Sequence, residues 1–230
     1  LFARNAQRGK TVAALAGTQW TSDPAWLAEA DIYLIAVSDR AVAEAAASLP
    51  IPAGAVVAHT AGSVPLEALP DRPTTRRAVF YPLQTFTKGR EVDFSQIPVF
   101  LETDDEALRP ELEAFARRLS RTVIWADSAC RAKAHLAAVF ACNFVNHMYA
   151  VGEGIVRSAG LPFDILKPLL AETAAKALDA ASPADVQTGP AVRNDLHTMA
   201  RHRALLAADP RLENIYSIIS NNIWETSKKI

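Results

Sequence analysis

Apolar residues run through the first half of the chain in short blocks separated by Ala-rich or charged stretches. Asp31–Ser38, Ala55–Thr60, Ala78–Tyr81, Val99–Glu102 and Thr122–Trp125 are each nearly continuous in apolar side chains. Strands covered on both faces have this composition. Between them, Asp39–Leu49 is Ala-rich and halts at Pro50, and Asp105–Leu119 is charged and amphipathic, so both predict helices. Leu1–Asn5 reads as the end of a buried strand running into a helical stretch over Gln7–Gly17. Strands alternating with helices predict an α/β, doubly wound and mostly parallel sheet with right-handed crossovers. The chain reads as opening inside such a fold, with its first strand, Gly-rich turn and first helix missing.

The pattern changes after Trp125. Ser128 to about Ala159 predicts one long helix, with Ser128 at its N-cap and Gly160 as its stop. Pro162 opens a second helix running to about Ala181, Ser182-Pro183 and Thr188-Gly189-Pro190 punctuate a linker, and Arg193–Ile230 reads as two helices split near Asp209-Pro210. An all-α C-terminal domain is therefore expected over residues 128–230, after an α/β domain over residues 1–127.

Composition narrows the function classes. A formal net charge of -1 over 230 residues gives no basic field for nucleic acid or an anionic membrane. No apolar run reaches the ~20 residues that span a bilayer. Cys130 and Cys142, the only cysteines, fall in one predicted helix roughly 18 Å apart along its axis, so they cannot pair within it. A reduced, cytoplasmic protein is expected.

In open parallel sheets, ligands bind beyond the carboxyl ends of the strands. The first such position holds Arg4, Asn5 and Arg8, with Lys10 following and no acid among them. A guanidinium there suits the 2′-phosphate of NADP, where an acid would bind the 2′-hydroxyl of NAD. Arg8 and Lys10 also fit the wet face of a helix, whereas Arg4 ends an apolar strand. Val37, Ser38 and Asp39 follow the next strand and would face the middle of a dinucleotide, although Asp39 equally suits a helix cap. His59 stands near the end of the block Ala55–Thr60, with Thr60, Ala61, Gly62 and Ser63 following, where it is placed either for acid–base work or for a satisfied hydrogen-bond network. Gln84 and Thr85 offer hydrogen bonds to substrate after Tyr81-Pro82, with the neighbouring aromatics read as core.

On the long helix, 100° steps put His135, Cys142 and Asn146 on one stripe, and Asn143 and His147 form an adjacent i, i+4 pair. His135 and Asn146 lie about 16 Å apart along the axis, too far to share a small substrate. No set of ligands with metal-site spacing stands out. Neither a GxxxxGK phosphate loop nor a nucleophile elbow occurs.

Arg4-Asn5, Ala36–Asp39, His59–Ser63, Tyr81–Phe86, Ala132–Phe144 and Thr188-Gly189-Pro190 with Arg193-Asn194-Asp195, in that order, resemble bacterial Rossmann-like proteins with a helical C-terminal domain of unknown function. These are commonly labelled NADP oxidoreductases of the deazaflavin-dependent type. More distantly the chain is similar to pyrroline-5-carboxylate reductase and to the 6-phosphogluconate and 3-hydroxyisobutyrate dehydrogenases. Those dehydrogenases place Lys and Asn one turn apart on the first long helix of the second domain. Here Ala137 follows Lys133 at that spacing and no Lys precedes Asn143. The resemblance implies NADP as cofactor, a small-molecule substrate taken up between two domains, and a homodimer formed by the helical part. Arg4, Asn5, Arg8, Val37, Ser38, Asp39, Thr60, Ala61 and Gly62 would then hold the cofactor. His59, His135 and Asn143 would serve catalysis, with His135 standing in for the lysine as proton donor. The rival class is a non-catalytic sensor that binds a nucleotide or metabolite on the same scaffold.

Overall fold

The structure, a computed structural model, describes residues 1–72 and 75–228. The chain divides into two compact units, Leu1–Met148 and Tyr149–Ile230. In the first unit Asn5 caps helix α1 (Ala6–Leu15), its side chain accepting a hydrogen bond from the Arg8 N–H. Phe2 bridges Thr21 in parallel. Trp20 donates its indole N–H to the Ala3 carbonyl (3.1 Å) and lies against Gly9, where a Cβ would stand 1.8 Å from Trp20 Nε1.

Strands β1 (Ile32–Ile35), β2 (Val56–His59), β3 (Arg76–Pro82), β4 (Val99–Thr103) and β5 (Val123–Trp125) form one sheet in sequential order. Each of the five apolar blocks became a strand; the inner strands β2–β4 are covered on both faces, whereas Leu34 of β1 and Ile124 of β5 stay exposed. Ile35, Val57, Val79, Tyr81 and Phe100 fill one face, together with Val42 and Ala46 of helix α2 (Val42–Ser48). Val56, Ala58, Phe80, Val99 and Leu101 fill the other, against Leu112 and Ala116 of helix α3 (Arg109–Arg117). Single 3₁₀ turns, Asp39–Ala41 and Glu106–Leu108, lead into α2 and α3.

The sheet is mostly parallel, as expected, with one reversal. β1, β2 and β3 are parallel, β4 runs antiparallel to β3, and β5 is parallel to β4. The expected grouping of aromatics in the core also holds only in part: Phe80 and Tyr81 are buried, whereas Phe86 is 57% exposed.

The long helix differs from expectation as well. Asp127, rather than Ser128, is its N-cap and accepts from the Cys130 N–H. It consists of α4 (Ser128–Ala138), a π-helical segment over Val139–Phe144, and α5 (Val145–Ser158). A π turn holds more residues than the 3.6 of an α turn. Side chains beyond it are therefore rotated out of the register that 100° steps assign. The stripe of His135, Cys142 and Asn146 and the Asn143–His147 pair lose their α-helical alignment there. Gly160 stops α5 at φ 75°, as the pattern predicts.

In the second unit a 3₁₀ turn leads into α6 (Lys167–Asp179), followed by α7 (Leu196–Leu205) and α8 (Pro210–Ser227), with Asp209 capping α8. Among its described residues only Ala191 and Ser220 are buried, while Leu169, Leu178, Leu205 and Ile218 stand exposed. No helix among the described residues is long and apolar enough to cross a membrane.

Candidate functional site

The parallel strands β1–β3 end side by side, and the segments after them bring most of the polar candidates to one edge. The Asp39 carboxylate, after β1, accepts a hydrogen bond from the Ser63 hydroxyl, after β2. Thr60, half-buried, continues the ladder by donating its N–H to the Ile35 carbonyl (3.2 Å). Tyr81, near the end of β3, places its hydroxyl 3.0 Å from His135 Nδ1, the rings edge to face with centroids 6.0 Å apart.

Gly62 lies directly under that pair. A Cβ on it would stand 2.6 Å from His135 Nδ1 and 2.8 Å from Tyr81 Cζ, closer than side-chain carbons pack. Glycine is thus required for the loop to pass beneath the two rings. Burial pushes the Tyr81 phenol above its ordinary value, with the Arg131 guanidinium opposing it. Tyr81 therefore keeps its proton at neutral pH.

One turn before His135 on α4 sits Arg131, fully buried. Its Nη1 donates to the carbonyls of Ala61 and Gly62, each at 2.9 Å. Its Nη2 donates to Glu102 Oε2 (2.8 Å) and to Ser128 Oγ (3.0 Å). Ser128 in turn donates to the Glu102 carboxylate and accepts from the Leu66 N–H. A buried charge is tolerated only when paired and hydrogen-bonded on this scale. Sequence reasoning did not select Arg131, Glu102, Ser128 or Tyr81. The available signal was a basic residue four positions before His135, which shares its helix face.

His59 is fully buried and accepts a hydrogen bond at Nδ1 from the Ala61 N–H (3.2 Å). Burial, and secondarily the Arg131 charge, lower its pKa to about 4. The imidazole is neutral at physiological pH, and its Nε2 has no partner among the described residues. Of the two expectations for a histidine here, this environment favours a loop staple over a solvent-linked acid or base.

The remaining candidates are on the surface. Arg4, Asn5 and Arg8 are exposed at the start of α1, whose first turn has no acidic residue. Arg4 lies 3.7 Å from Glu44, both side chains 75% exposed, a pairing worth little in water. Val37, Ser38 and Asp39 are exposed, and so are Gln84 and Thr85, which bond each other through the Thr85 N–H and Gln84 Oε1 (2.7 Å). Asn143 is exposed within the π segment and makes no side-chain hydrogen bond among the described residues. The structure thus joins His135 to Gly62, His59 to Ala61 and Asp39 to Ser63, and leaves Asn143, Gln84 and Thr85 apart from that cluster.

Solved structures with this fold are known. A Bacteroides fragilis protein described as a "putative NADP oxidoreductase" is 38% identical, with 97% of this chain and 87% of that chain covered at a TM-score of 0.87. A Thermotoga maritima protein is 22% identical, with 99% and 90% covered and a TM-score of 0.76. The reductive aminase of Aspergillus terreus, solved with NADPH and ethyl levulinate, shares the fold at 15% identity, 99% and 84% coverage and a TM-score of 0.68. No curated protein matches the chain. The domain of unknown function DUF2520 matches residues 97–223, more than half of the chain, and with the Bacteroides likeness this shows that the chain belongs to the DUF2520 family.

Proposed function

We propose that the protein is an NADP(H)-dependent oxidoreductase acting on a small molecule at the carboxyl edge of β1–β3. The observation that carries this reading is the Tyr81–His135 pair seated over Gly62 at that edge. Its support in relatives is that the Bacteroides protein is described as an NADP oxidoreductase and the Aspergillus enzyme was solved with NADPH. A nicotinamide bound there would supply or accept the hydride.

The chain's own residues divide the remaining work. Arg4, Asn5 and Arg8, with the free N–H groups at the start of α1, offer a 2′-phosphate two guanidinium groups and no competing acid in that turn. Val37, Ser38, Asp39 and Thr60–Gly62 line the cofactor's middle. Tyr81, holding its proton, would donate to His135 Nδ1 and leave a proton on Nε2 to pass to substrate. His59 holds the Ala61 turn beneath them, and Gln84, Thr85 and Asn143 are left for substrate recognition. In titrations of the natural protein, NADPH is expected to bind well ahead of NADH, with Arg4→Ala weakening NADPH ~10-fold. Equal affinities would remove the 2′-phosphate assignment; binding of neither nucleotide would remove the oxidoreductase reading.

The helical unit is proposed to pair with a second copy. A unit of this size normally buries most of its apolar side chains, yet here only Ala191 and Ser220 are buried among its described residues. Sedimentation equilibrium at micromolar concentration should return twice the chain mass, and a monomer would rule this pairing out.

A further inference from the structure

The acid that the first turn of α1 lacks is brought to its start from another element. Arg4 follows a segment whose backbone is fixed. Ala3 donates its N–H to the Thr21 carbonyl and accepts the Trp20 indole N–H, each at 3.1 Å, and Asn5 caps α1. Glu44 stands on α2, which Val42 and Ala46 hold against the sheet at 0% and 1% exposure. From these anchored backbones the two side chains meet, with Arg4 Nη1 3.7 Å from Glu44 Oε1. At 75% exposure each, the pair adds little to stability, yet both charges are open to whatever binds there.

We propose that Glu44 is a specificity-determining residue of the nucleotide site, setting how far NADPH is preferred over NADH. This rests on the oxidoreductase reading above, with Arg4 as a phosphate contact. The two cofactors differ at one position, a 2′-phosphate in place of a 2′-hydroxyl. A carboxylate accepts a hydrogen bond from a ribose hydroxyl, whereas a phosphate meets its negative charge. An anion taking a charge-assisted bond from Arg4 comes within on the order of 7 Å of Glu44, inside the Debye length of physiological salt. It must also share the guanidinium with the carboxylate already beside it. Arg4 and Arg8 together outweigh one carboxylate, so NADPH stays ahead, but by less than two unopposed guanidinium groups would give. Glu44 thus takes the part that a strand-end acid has in NAD-binding folds, without replacing the arginine that favours NADP.

Binding constants from calorimetry on the natural protein and on Glu44→Gln test this. Glutamine keeps the size and an acceptor oxygen of the side chain and removes only its charge, and at an exposed helix position it leaves the fold intact. The ligands are NADPH, NADH and adenosine 2′,5′-bisphosphate, which keeps the 2′-phosphate but has no nicotinamide. In Glu44→Gln, NADPH and the bisphosphate should bind ~3–10-fold tighter at low salt, and NADH no tighter. At 1 M salt, where charges are screened beyond about 3 Å, that gain should shrink to about twofold or less. Equal gains for NADPH and NADH, or a gain undiminished at 1 M salt, overturn the role, since neither follows from a charge acting on a 2′-phosphate. Unchanged affinities for all three ligands also overturn it, while NADPH still held through Arg4 leaves the oxidoreductase reading standing. Tighter binding of the bisphosphate, with NADPH and NADH both failing to bind, keeps the role of Glu44 and removes that reading. Binding of none of the three removes both. In an Arg4→Ala background, with no guanidinium to draw the phosphate beside the carboxylate, Glu44→Gln should change NADPH affinity by about twofold or less. A full gain in that background would overturn the assignment to the Arg4 phosphate contact.

Discussion

Arg131→Met is expected to cost about 3–5 kcal/mol of stability, because it strands the Glu102 carboxylate in a nearly closed site. Glu102 is 12% exposed at its side chain and loses its charge partner, while the Ala61 and Gly62 carbonyls lose their donor together. For a chain of this size that loss corresponds to a fall in Tm of roughly 10 °C. The matching double variant Arg131→Met/Glu102→Leu separates the causes. If the stranded charge dominates, removing Glu102 should recover a large part of the lost stability. No recovery in thermal melts would mean that the guanidinium matters through the loop carbonyls alone. Either way, the residue with the largest effect lies on the helix face that carries His135.

The second large effect depends on pH. His59 has its pKa lowered from 6.5 to about 4 by burial and by Arg131. Between those two values the unfolded chain takes up a proton at this position and the folded chain does not. Stability contributed by the neutral imidazole is thus complete above pH 6.5 and is lost as the pH falls toward 4, by on the order of 3 kcal/mol for a shift of this size. Urea unfolding at pH 7 and pH 4 should show this drop in the natural protein and a drop smaller by that amount in His59→Gln. In the folded protein the His59 ring protons should show no titration above about pH 5. A midpoint near 6.5 would mean that the ring is open to water, and would restore it as an acid–base candidate.

The strands and the element order were readable because each rests on local composition. Val56–His59 is buried at every position, as its unbroken apolar run requires, and Asp209 before Pro210 caps α8. The reversal of β4 was not readable. The stretch between Pro82 and Val99 is long enough for a crossover or a return, and strand direction leaves no trace in composition. Nor was the π segment, since Val139–Phe144 is apolar in either helical form. Within the site, His135 and Gly62 were selected by position. Arg131 was passed over because arginine on a helix is ordinarily wet, and its burial depends on Glu102, twenty-nine residues earlier in the chain. Tyr81 looked like core, and it is; its hydroxyl is what reaches His135.

The reversal at β4 also sets the electrostatics of the candidate site. In a wholly parallel sheet the helix after a strand begins at the carboxyl edge and turns the positive end of its macrodipole on the ligand. Here β5 runs the other way, so α4 begins beside Glu102, which pairs with Val79 inside β3, and reaches Tyr81 two turns later. The positive pole of α4 is thereby spent on the Glu102 carboxylate. What α4 offers the edge is mid-helix backbone, whose dipoles cancel along its length. Beside His135 this edge should be electrically quiet and suited to the uncharged reacting groups of the proposed chemistry, with the proposed phosphate contact left to the start of α1.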